Sequence, residues 1–251
     1  SGLWSNGTHT LEKSQQNKVE RIADLLGLSP GQHILEIGCG WGALAIALAQ
    51  QKSIFVDGIT LSPAQLAFAQ ARVEDAGIKP KVSLALQDYR DTHHRYDKIV
   101  SIEMIEAVGE AYMHQYFDTI ARCLKDNGRA VIQAITIADD RFDVYRNDTD
   151  FIQTYIFPGG FLPSATFMLD CASHAGLKLV HDERFGQSYA KTLLEWQVRF
   201  NSNWPAIEAM GFDEKFRRVW NYYLSYCAAG FSEALIDVGL YVFERAQSPT
   251  N

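Results

Sequence analysis

Three glycines within five positions follow a short apolar run in the stretch "ILEIGCGWG". The glycines are Gly38, Gly40 and Gly42, and the acidic Glu36 lies near the end of the run before them. Glycine lets a backbone approach a ligand closely, because no Cβ stands in the way. The spacing E-x-G-x-G-x-G differs from the G-x-G-x-x-G of dinucleotide folds. We interpret the stretch as a ligand-binding loop; a tight turn without a ligand is the alternative.

The elements around this loop alternate between strand and helix. Residues 11–28 and the stretches "WGALAIALAQQ", "AQLAFAQARVEDAG" and "AYMHQYFDTIARCLKDNG" have helical patterns, the last ended by Gly128. Between and after them lie five apolar stretches that predict strands, which are "HILEIG", "SIFVDGITL", "KVSLALQ", "YDKIVSIEM" and "RAVIQAITI". This alternation predicts a parallel, doubly wound α/β sheet. Ligands bind beyond the carboxyl ends of such strands, where the glycine loop lies.

Composition excludes several classes of protein. The chain has 251 residues, of which 47% are hydrophobic and 21% charged, as in an ordinary globular protein. Its net charge of −7 disfavours nucleic acid as a partner. The four cysteines are scattered without metal-ligand spacing, so reduced thiols and no metal site are expected. No apolar run reaches the ~20 residues that span a bilayer.

Several motifs resemble one enzyme family. "LEIGCGWG" resembles the S-adenosylmethionine loop of class I methyltransferases. "QDYRD", "VSIEMIEAVG", "FIQTYIFPGGFLPS" and "WNYYLSYCAAGF" resemble the cyclopropane fatty acid synthase family, which includes the mycolic acid cyclopropane synthases. The similarity runs over nearly the whole chain. It implies a Rossmann-like class I methyltransferase fold with a seven-stranded, mostly parallel sheet, helices on both faces and a helical lid over an acyl site.

The resemblance also implies an S-adenosylmethionine site. Its residues belong to the glycine loop and to the ends of the next three strands. They are Glu36, Gly38, Cys39, Gly40, Thr60, Leu61, Gln65, Gln87, Asp88, Tyr89 and Ile102. Glu103 is expected to close the site beside Ile102.

One methyltransferase domain is predicted over residues 1–251. Residues 11–136 form its cofactor-binding half, 137–231 the lid and substrate-binding insertion, and 232–251 the last strand and tail. Within this, residues 137–163 break the alternation and are expected to cover the ligand, with Gly159 and Gly160 at the bend. "DVGLYVFERA" predicts an antiparallel strand at the sheet edge. An N-terminal part of a longer protein is expected to precede the chain.

The family reaction implies a dry, aromatic pocket. It transfers a methyl group to the cis double bond of an unsaturated fatty acyl chain, and loss of a proton then closes a cyclopropane ring. An alkene that attacks a methyl group leaves a carbocation, which aromatic faces stabilise by roughly 0.5–2 kcal/mol each. The second half of the chain is rich in candidates, although most aromatics at helical spacing belong to cores. They are Trp196, Phe200, Trp204, Trp220, Tyr222, Tyr223, Tyr226 and Phe231.

The base of the family reaction is thought to be a bound bicarbonate. By resemblance, its catalytic holders here are Glu106, Ile135 and Tyr223, with Gln133 at the usual His position and Ser1 at the usual Cys position. Gln133 and Ser1 can still donate hydrogen bonds to an anion. Bicarbonate binding therefore stays open. The replacement of the usual His and Cys puts the ring-closing proton loss in doubt more than the methyl transfer.

The leading hypothesis is a cyclopropane synthase that acts on unsaturated phospholipid acyl chains. Such an enzyme is expected in the cytoplasm, in peripheral contact with the inner face of the membrane, and as a candidate homodimer. Three alternatives remain open: a C-methyltransferase that makes methyl- or methylene-branched fatty acids, a small-molecule or amine methyltransferase, and a non-catalytic binding module.

Overall fold

Seven strands form one sheet in the computed structural model, which describes residues 1–5, 7, 9–51 and 53–246. The first five are parallel neighbours in the order β3-β2-β1-β4-β5, and β7 and β6 follow, with β7 antiparallel to both of its neighbours. The strands are β1 (His33–Ile37), β2 (Phe55–Thr60), β3 (Val82–Leu86), β4 (Tyr96–Ile102), β5 (Leu124–Ile137), β6 (Leu177–Arg184) and β7 (Ile236–Arg245). The predicted seven-stranded, mostly parallel sheet is confirmed.

Helices connect the strands, and local signals mark their ends. The Thr10 side chain caps the first helix, and Gly27 ends it in the left-handed conformation. Ser62 caps the third helix, and Pro63 occupies its first turn. The helices are α1 (Leu11–Leu26), α2 (Ala43–Gln51), α3 (Pro63–Asp75), α4 (Met113–Cys123), α5 (Asp139–Arg146), α6 (Phe151–Tyr155), α7 (Ala165–His174), α8 (Gly186–Ser202), α9 (Trp204–Ala209) and α10 (Glu214–Ser232).

The central strands are buried on both faces. Successive residues of a strand point to opposite sides, so Ile34 and Val131 join the core under α1, α2, α8 and α10. Leu35 and Ile132 join the opposite core, which includes residues of α4 and α7. This two-sided burial explains why the strands are continuous apolar runs rather than alternating patterns. Of the helices described, none combines the length and the apolar character needed to cross a bilayer.

Three details differ from the sequence predictions. Helix α4 ends at Cys123 rather than near Gly128, because the buried Leu124 is extended and pairs with Tyr96 on β4. The antiparallel strand β7 lies inside the sheet rather than at its edge. The edge is β6, within the range 137–231 predicted as lid and insertion. Its mostly exposed residues give it no apolar pattern that could have revealed a strand.

Candidate active site

The glycine loop lies at the carboxyl end of β1 and is tied to β2. The backbone N–H groups of Gly38 and Cys39 both donate to the Ile59 carbonyl, at 3.0 and 2.9 Å. Gly40 has φ +51°, and a Cβ built on it meets no atom of the described residues within 4 Å. Gly42 instead lets the loop pack on α3, where a Cβ would lie 2.9 Å from the Ala69 Cβ. Of the three loop glycines, Gly40 is thus the one with open space in front of it.

The carboxyl ends of β2 and β3 lie beside the glycine loop, and together they form the carboxyl edge of this half of the sheet. The Thr60 hydroxyl donates to Gln65 Oε1 at 3.2 Å, and the Gln87 N–H donates to the Thr60 carbonyl at 3.1 Å. Leu61 is 69% exposed beside them, which is unusual for a large apolar side chain. The predicted residues Thr60, Leu61, Gln65 and Gln87 therefore lie together beside the glycine loop.

Two of the predicted cofactor residues have side chains that contact other side chains of the protein. The Asp88 carboxylate accepts two hydrogen bonds from the Arg90 guanidinium, at 2.9 and 2.7 Å. The Tyr89 ring packs edge-on against Tyr116, with ring centres 5.6 Å apart. Both residues follow Gln87 at the carboxyl end of β3, and their role in cofactor binding stays a prediction.

Glu36 is an acidic side chain within the sheet. It is 3% exposed, and its Oε2 has no hydrogen-bond partner among the described residues. Burial raises the pKa of Glu36 to about 8, although the nearby Lys18 ammonium acts in the opposite direction. Sequence reasoning missed Lys18, because a lysine on an amphipathic helix usually faces solvent.

This edge fits the S-adenosylmethionine that the resemblance implies. The open space at Gly40 admits a ligand next to the backbone, and Thr60, Gln65 and Gln87 offer hydroxyl and amide groups. The exposed Leu61 offers an apolar surface for an adenine or ribose face. The other predicted members, Cys39 and Ile102, are the residue after Gly38 and the last residue of β4.

Glu106 holds the end of β5. Its Oε1 accepts a hydrogen bond from the Ile135 N–H at 2.7 Å, and its Oε2 has no partner among the described residues. Burial, reinforced by the charge of Glu103, raises the pKa of Glu106 to about 8. This shift favours the protonated form of the Glu106 carboxyl group, which can donate a hydrogen bond.

Ser1 and Gln133 come together as predicted, but a second carboxylate lies between them. The buried Gln133 amide donates through Nε2 to Ser1 Oγ at 3.0 Å and to Glu103 Oε1. The Ser1 nitrogen donates to the same Glu103 oxygen at 3.2 Å. The Tyr189 hydroxyl donates to Glu103 Oε2 at 2.8 Å. Tyr189 was not predicted, since it is 86 residues away in sequence and carries no local signal.

The environment of Glu103 differs from that of Glu106. Burial acts to raise the pKa of Glu103, whereas the Lys18 ammonium and the hydrogen bond from the Tyr189 hydroxyl act to lower it. Glu103 also has φ +50°, a left-handed conformation that costs a non-glycine residue about 1–2 kcal/mol. Two carboxylates whose pKa values are pushed apart are typical of acid–base chemistry.

A cavity of about 1120 Å³ opens beside the two carboxylates. Glu103, Glu106 and Ile135 line it, as does the Gly159–Gly160 bend of the predicted lid. Of the predicted aromatic residues, four lie on its wall, and these are Trp196, Tyr223, Tyr226 and Phe231. The others are not part of the wall: the Phe200 ring contacts both Trp204 and Trp220, and Tyr222 stacks on Tyr226. For the first three the packing interpretation fits better than the tunnel, whereas Tyr222 is 55% exposed.

Comparisons with known proteins agree with this fold. A family model described as Mycolic acid cyclopropane synthetase matches residues 2–240. The tuberculostearic acid methyltransferase of Mycobacterium tuberculosis is 39% identical over 95% of this chain and 56% of its own length. The cyclopropane-fatty-acyl-phospholipid synthase of Escherichia coli is 38% identical over 94% of this chain and 59% of its own length. The chain thus spans a little more than half the length of these curated relatives.

A solved structure shows the same architecture. The mycolic acid cyclopropane synthase CmaA1, complexed with SAH and CTAB, superposes with a TM-score of 0.90 at 28% identity. The superposition covers 97% of this chain and 88% of CmaA1. Agreement in both sequence and fold over nearly the whole length means that the chain belongs to the mycolic acid cyclopropane synthetase family.

Proposed function

We propose that this chain transfers the methyl group of S-adenosylmethionine to the cis double bond of an unsaturated fatty acyl chain, with a phospholipid as the acyl carrier. The observation that carries the proposal is the large, mostly apolar cavity with two half-buried carboxyl groups, those of Glu103 and Glu106, on its wall. The mostly apolar wall suits an alkyl chain. The SAH and CTAB in the CmaA1 structure support the alkyl part of the proposal, since CTAB joins a long alkyl chain to its ammonium group.

The protein is expected to position the two reactants, to exclude water and to stabilise the cation. Bound S-adenosylmethionine supplies an electrophilic methyl group. The apolar wall excludes water from the cation that forms in the acyl chain, and Trp196 and Tyr223 offer aromatic faces to it. Holding the two reactants in line contributes at best about 7–11 kcal/mol to lowering the barrier.

The product we propose is a cyclopropane fatty acid. A methyl- or methylene-branched fatty acid is the second candidate, because a tuberculostearic acid methyltransferase is among the most similar relatives and Gln133 replaces the family His. Both products arise from the same methyl transfer and differ in how the cation loses its charge.

We further propose peripheral contact with the inner face of the cytoplasmic membrane, and a homodimer. Three apolar residues on the cavity wall are also exposed at the surface: Val144 at 74%, Phe157 at 53% and Tyr226 at 42%. Exposed residues on a cavity wall mark its mouth, and aromatic side chains suit the headgroup region of a bilayer. An acyl chain can enter there without crossing water.

Labelled S-adenosylmethionine tests the proposed activity. The protein is incubated with deuteromethyl cofactor and, in separate reactions, vesicles of a cis-monounsaturated phospholipid, vesicles of its saturated counterpart and a panel of small amines. Mass spectrometry should find label in the unsaturated lipid alone, with one methyl deuteron lost if a ring or methylene branch forms. Label in the amines, or none anywhere despite cofactor binding, would contradict the proposal. Chromatography of the methyl esters then separates ring from branch.

A further inference from the structure

The bicarbonate that the resemblance implies does not fit the donors found here. Of the expected holders, Ser1 and Gln133 both already contact the Glu103 carboxylate. An anion in the same place would sit against an ionised carboxylate, and like charges in a buried site repel strongly. The residues that would receive bicarbonate instead hold a carboxylate that belongs to the chain.

The Glu103 carboxylate is held on both of its oxygens. Oε1 accepts from Gln133 Nε2 and from the Ser1 nitrogen, and Oε2 accepts from the Tyr189 hydroxyl at 2.8 Å. A carboxylate has about four acceptor positions, so this arrangement leaves acceptor capacity. Glu103 also lines the acyl cavity. Its left-handed backbone shows that a local conformational cost is tolerated where this side chain is placed.

We propose that the Glu103 carboxylate is the base of the reaction, in the role that a bound bicarbonate was expected to fill. The inference rests on the proposed methyl transfer to an acyl double bond. Glu106 has a different role, since its Oε1 already accepts a hydrogen bond from the Ile135 N–H at 2.7 Å and holds the end of β5.

The electrons and protons balance without a further reactant. The alkene pair forms a C–C bond to the methyl carbon as the C–S bond breaks, and the sulfur leaves as a neutral thioether. The positive charge is now on the acyl chain. A Glu103 oxygen removes a proton from the transferred carbon, and the C–H electron pair closes the ring. After a hydride shift in the acyl chain, the same proton loss gives a methylene branch instead. Glu103 then returns its proton to water.

Three variants test this role. Glu103→Gln keeps the shape of the side chain and removes its basicity. Glu103→Gly removes the side chain and suits the backbone, because glycine adopts φ +50° without strain. Glu208→Gln removes a carboxylate from the exposed surface of α9 and is the matched control. SAH affinity, measured by calorimetry, shows whether each variant retains a folded cofactor site.

In carbonate-depleted buffer, the native protein should methylate the unsaturated lipid at the same rate as with added bicarbonate. Glu103→Gln should lose at least ~10²-fold of this rate, the scale of a lost acid–base group, while its SAH affinity changes little. Glu103→Gly should be inactive alone and recover with added formate or bicarbonate. Glu208→Gln should match the native protein.

A second readout does not depend on turnover. The ¹³C NMR signal of labelled bicarbonate should show binding to Glu103→Gly and no binding to the native protein. A native enzyme that needs bicarbonate, native binding of the ion at this site, or an active Glu103→Gln would each overturn the inference. If the native protein labels no lipid at all, the proposed function fails, and the NMR comparison still decides whether Glu103 occupies the anion site.

Discussion

Gln133 and Glu103 are joined twice, once through the backbone and once through their side chains. The Glu103 N–H donates to the Gln133 carbonyl at 2.9 Å, and Gln133 Nε2 donates back to Glu103 Oε1. The pairing of β4 with β5 places Ile102 opposite Gln133, so the sheet register itself brings the two side chains together. The carboxylate is therefore positioned by the pairing of two central strands of the sheet.

Replacing Gln133 with Leu should destabilise the protein through this pair. A buried hydrogen bond to a charged group is worth about 1.5–3 kcal/mol, so the free energy of unfolding should fall by that order. Denaturant titration of Gln133→Leu, Glu103→Gln and the double variant should give a coupling energy of about 0.5–3 kcal/mol. The exposed pair Gln16 and Glu20 is the control, and Gln16→Leu with Glu20→Gln should show almost no coupling. Equal coupling in both cycles would refute the assignment.

Gly40→Val should abolish cofactor binding while the protein stays folded. The Val side chain would enter the open space in front of the loop, and the left-handed φ adds about 1–2 kcal/mol of strain. Gly31→Val is the matched control, because Gly31 also has positive φ and open space but lies before β1, away from the site. Calorimetry with SAH should find at least ~10²-fold weaker binding for Gly40→Val and near-native affinity for Gly31→Val, the loss being the order expected for steric exclusion worth ~3 kcal/mol. Native affinity in Gly40→Val would remove the loop from the cofactor site.

Glu106→Gln should stabilise the protein increasingly as the pH rises. The pKa of Glu106 is about 8 in the folded protein against an ordinary value of 4.5, so the folded state keeps a proton that the unfolded state has lost. Between these values the Glu106 contribution to stability falls as pH rises, by up to ~1.4 kcal/mol per pH unit. Unfolding at pH 5.5 and pH 7.5 should show a larger advantage of the variant at the higher pH. A pH-independent effect of Glu106→Gln would mean that Glu106 is ionised in the folded protein.

Removing the hydroxyl of Tyr189 or of Tyr223 should affect the pH dependence of kcat/KM differently. Tyr189→Phe removes the hydroxyl that donates to Glu103 Oε2 and keeps the ring that stacks on Phe231. That hydrogen bond lowers the pKa of Glu103, so its loss should move the acid limb of the kcat/KM profile to higher pH. Tyr223→Phe removes a hydroxyl from the cavity wall and should leave this limb in place. A shift in Tyr223→Phe alone would instead favour the bicarbonate arrangement.

The exposed cavity mouth should govern membrane contact. Phe157→Ser removes an apolar side chain that is both exposed and on the cavity wall, and vesicle sedimentation should show weaker binding. Met210→Ser removes an even more exposed apolar side chain that is not on the wall, and it should bind vesicles as the native protein does. Equal losses in both variants would mean that general surface hydrophobicity, rather than the mouth, attracts the membrane.

Features that depend only on neighbouring residues could be predicted from the sequence. Helix α1 starts at the Thr10 cap and ends at Gly27, and the glycine loop follows β1, because capping and positive φ are local properties. Continuous apolar runs predicted the buried parallel strands, because such a run is also visible within one short stretch of sequence. The local pattern was least informative for β6, whose exposed residues resemble a loop, and at Leu124, where helical periodicity continues into a strand.

Tertiary structure alone decided what surrounds the reacting groups. The resemblance identified Ser1, Gln133 and Glu106, and the sequence placed Glu103 next to the site, but nothing local shows that Glu103 occupies the space between Ser1 and Gln133. Tyr189 reaches Glu103 from a helix 86 residues away. Such contacts depend on strand register and on helix packing between distant segments, which no single stretch of sequence encodes. The pKa difference between the two carboxylates has the same origin, since burial and neighbouring charge exist only in the folded chain.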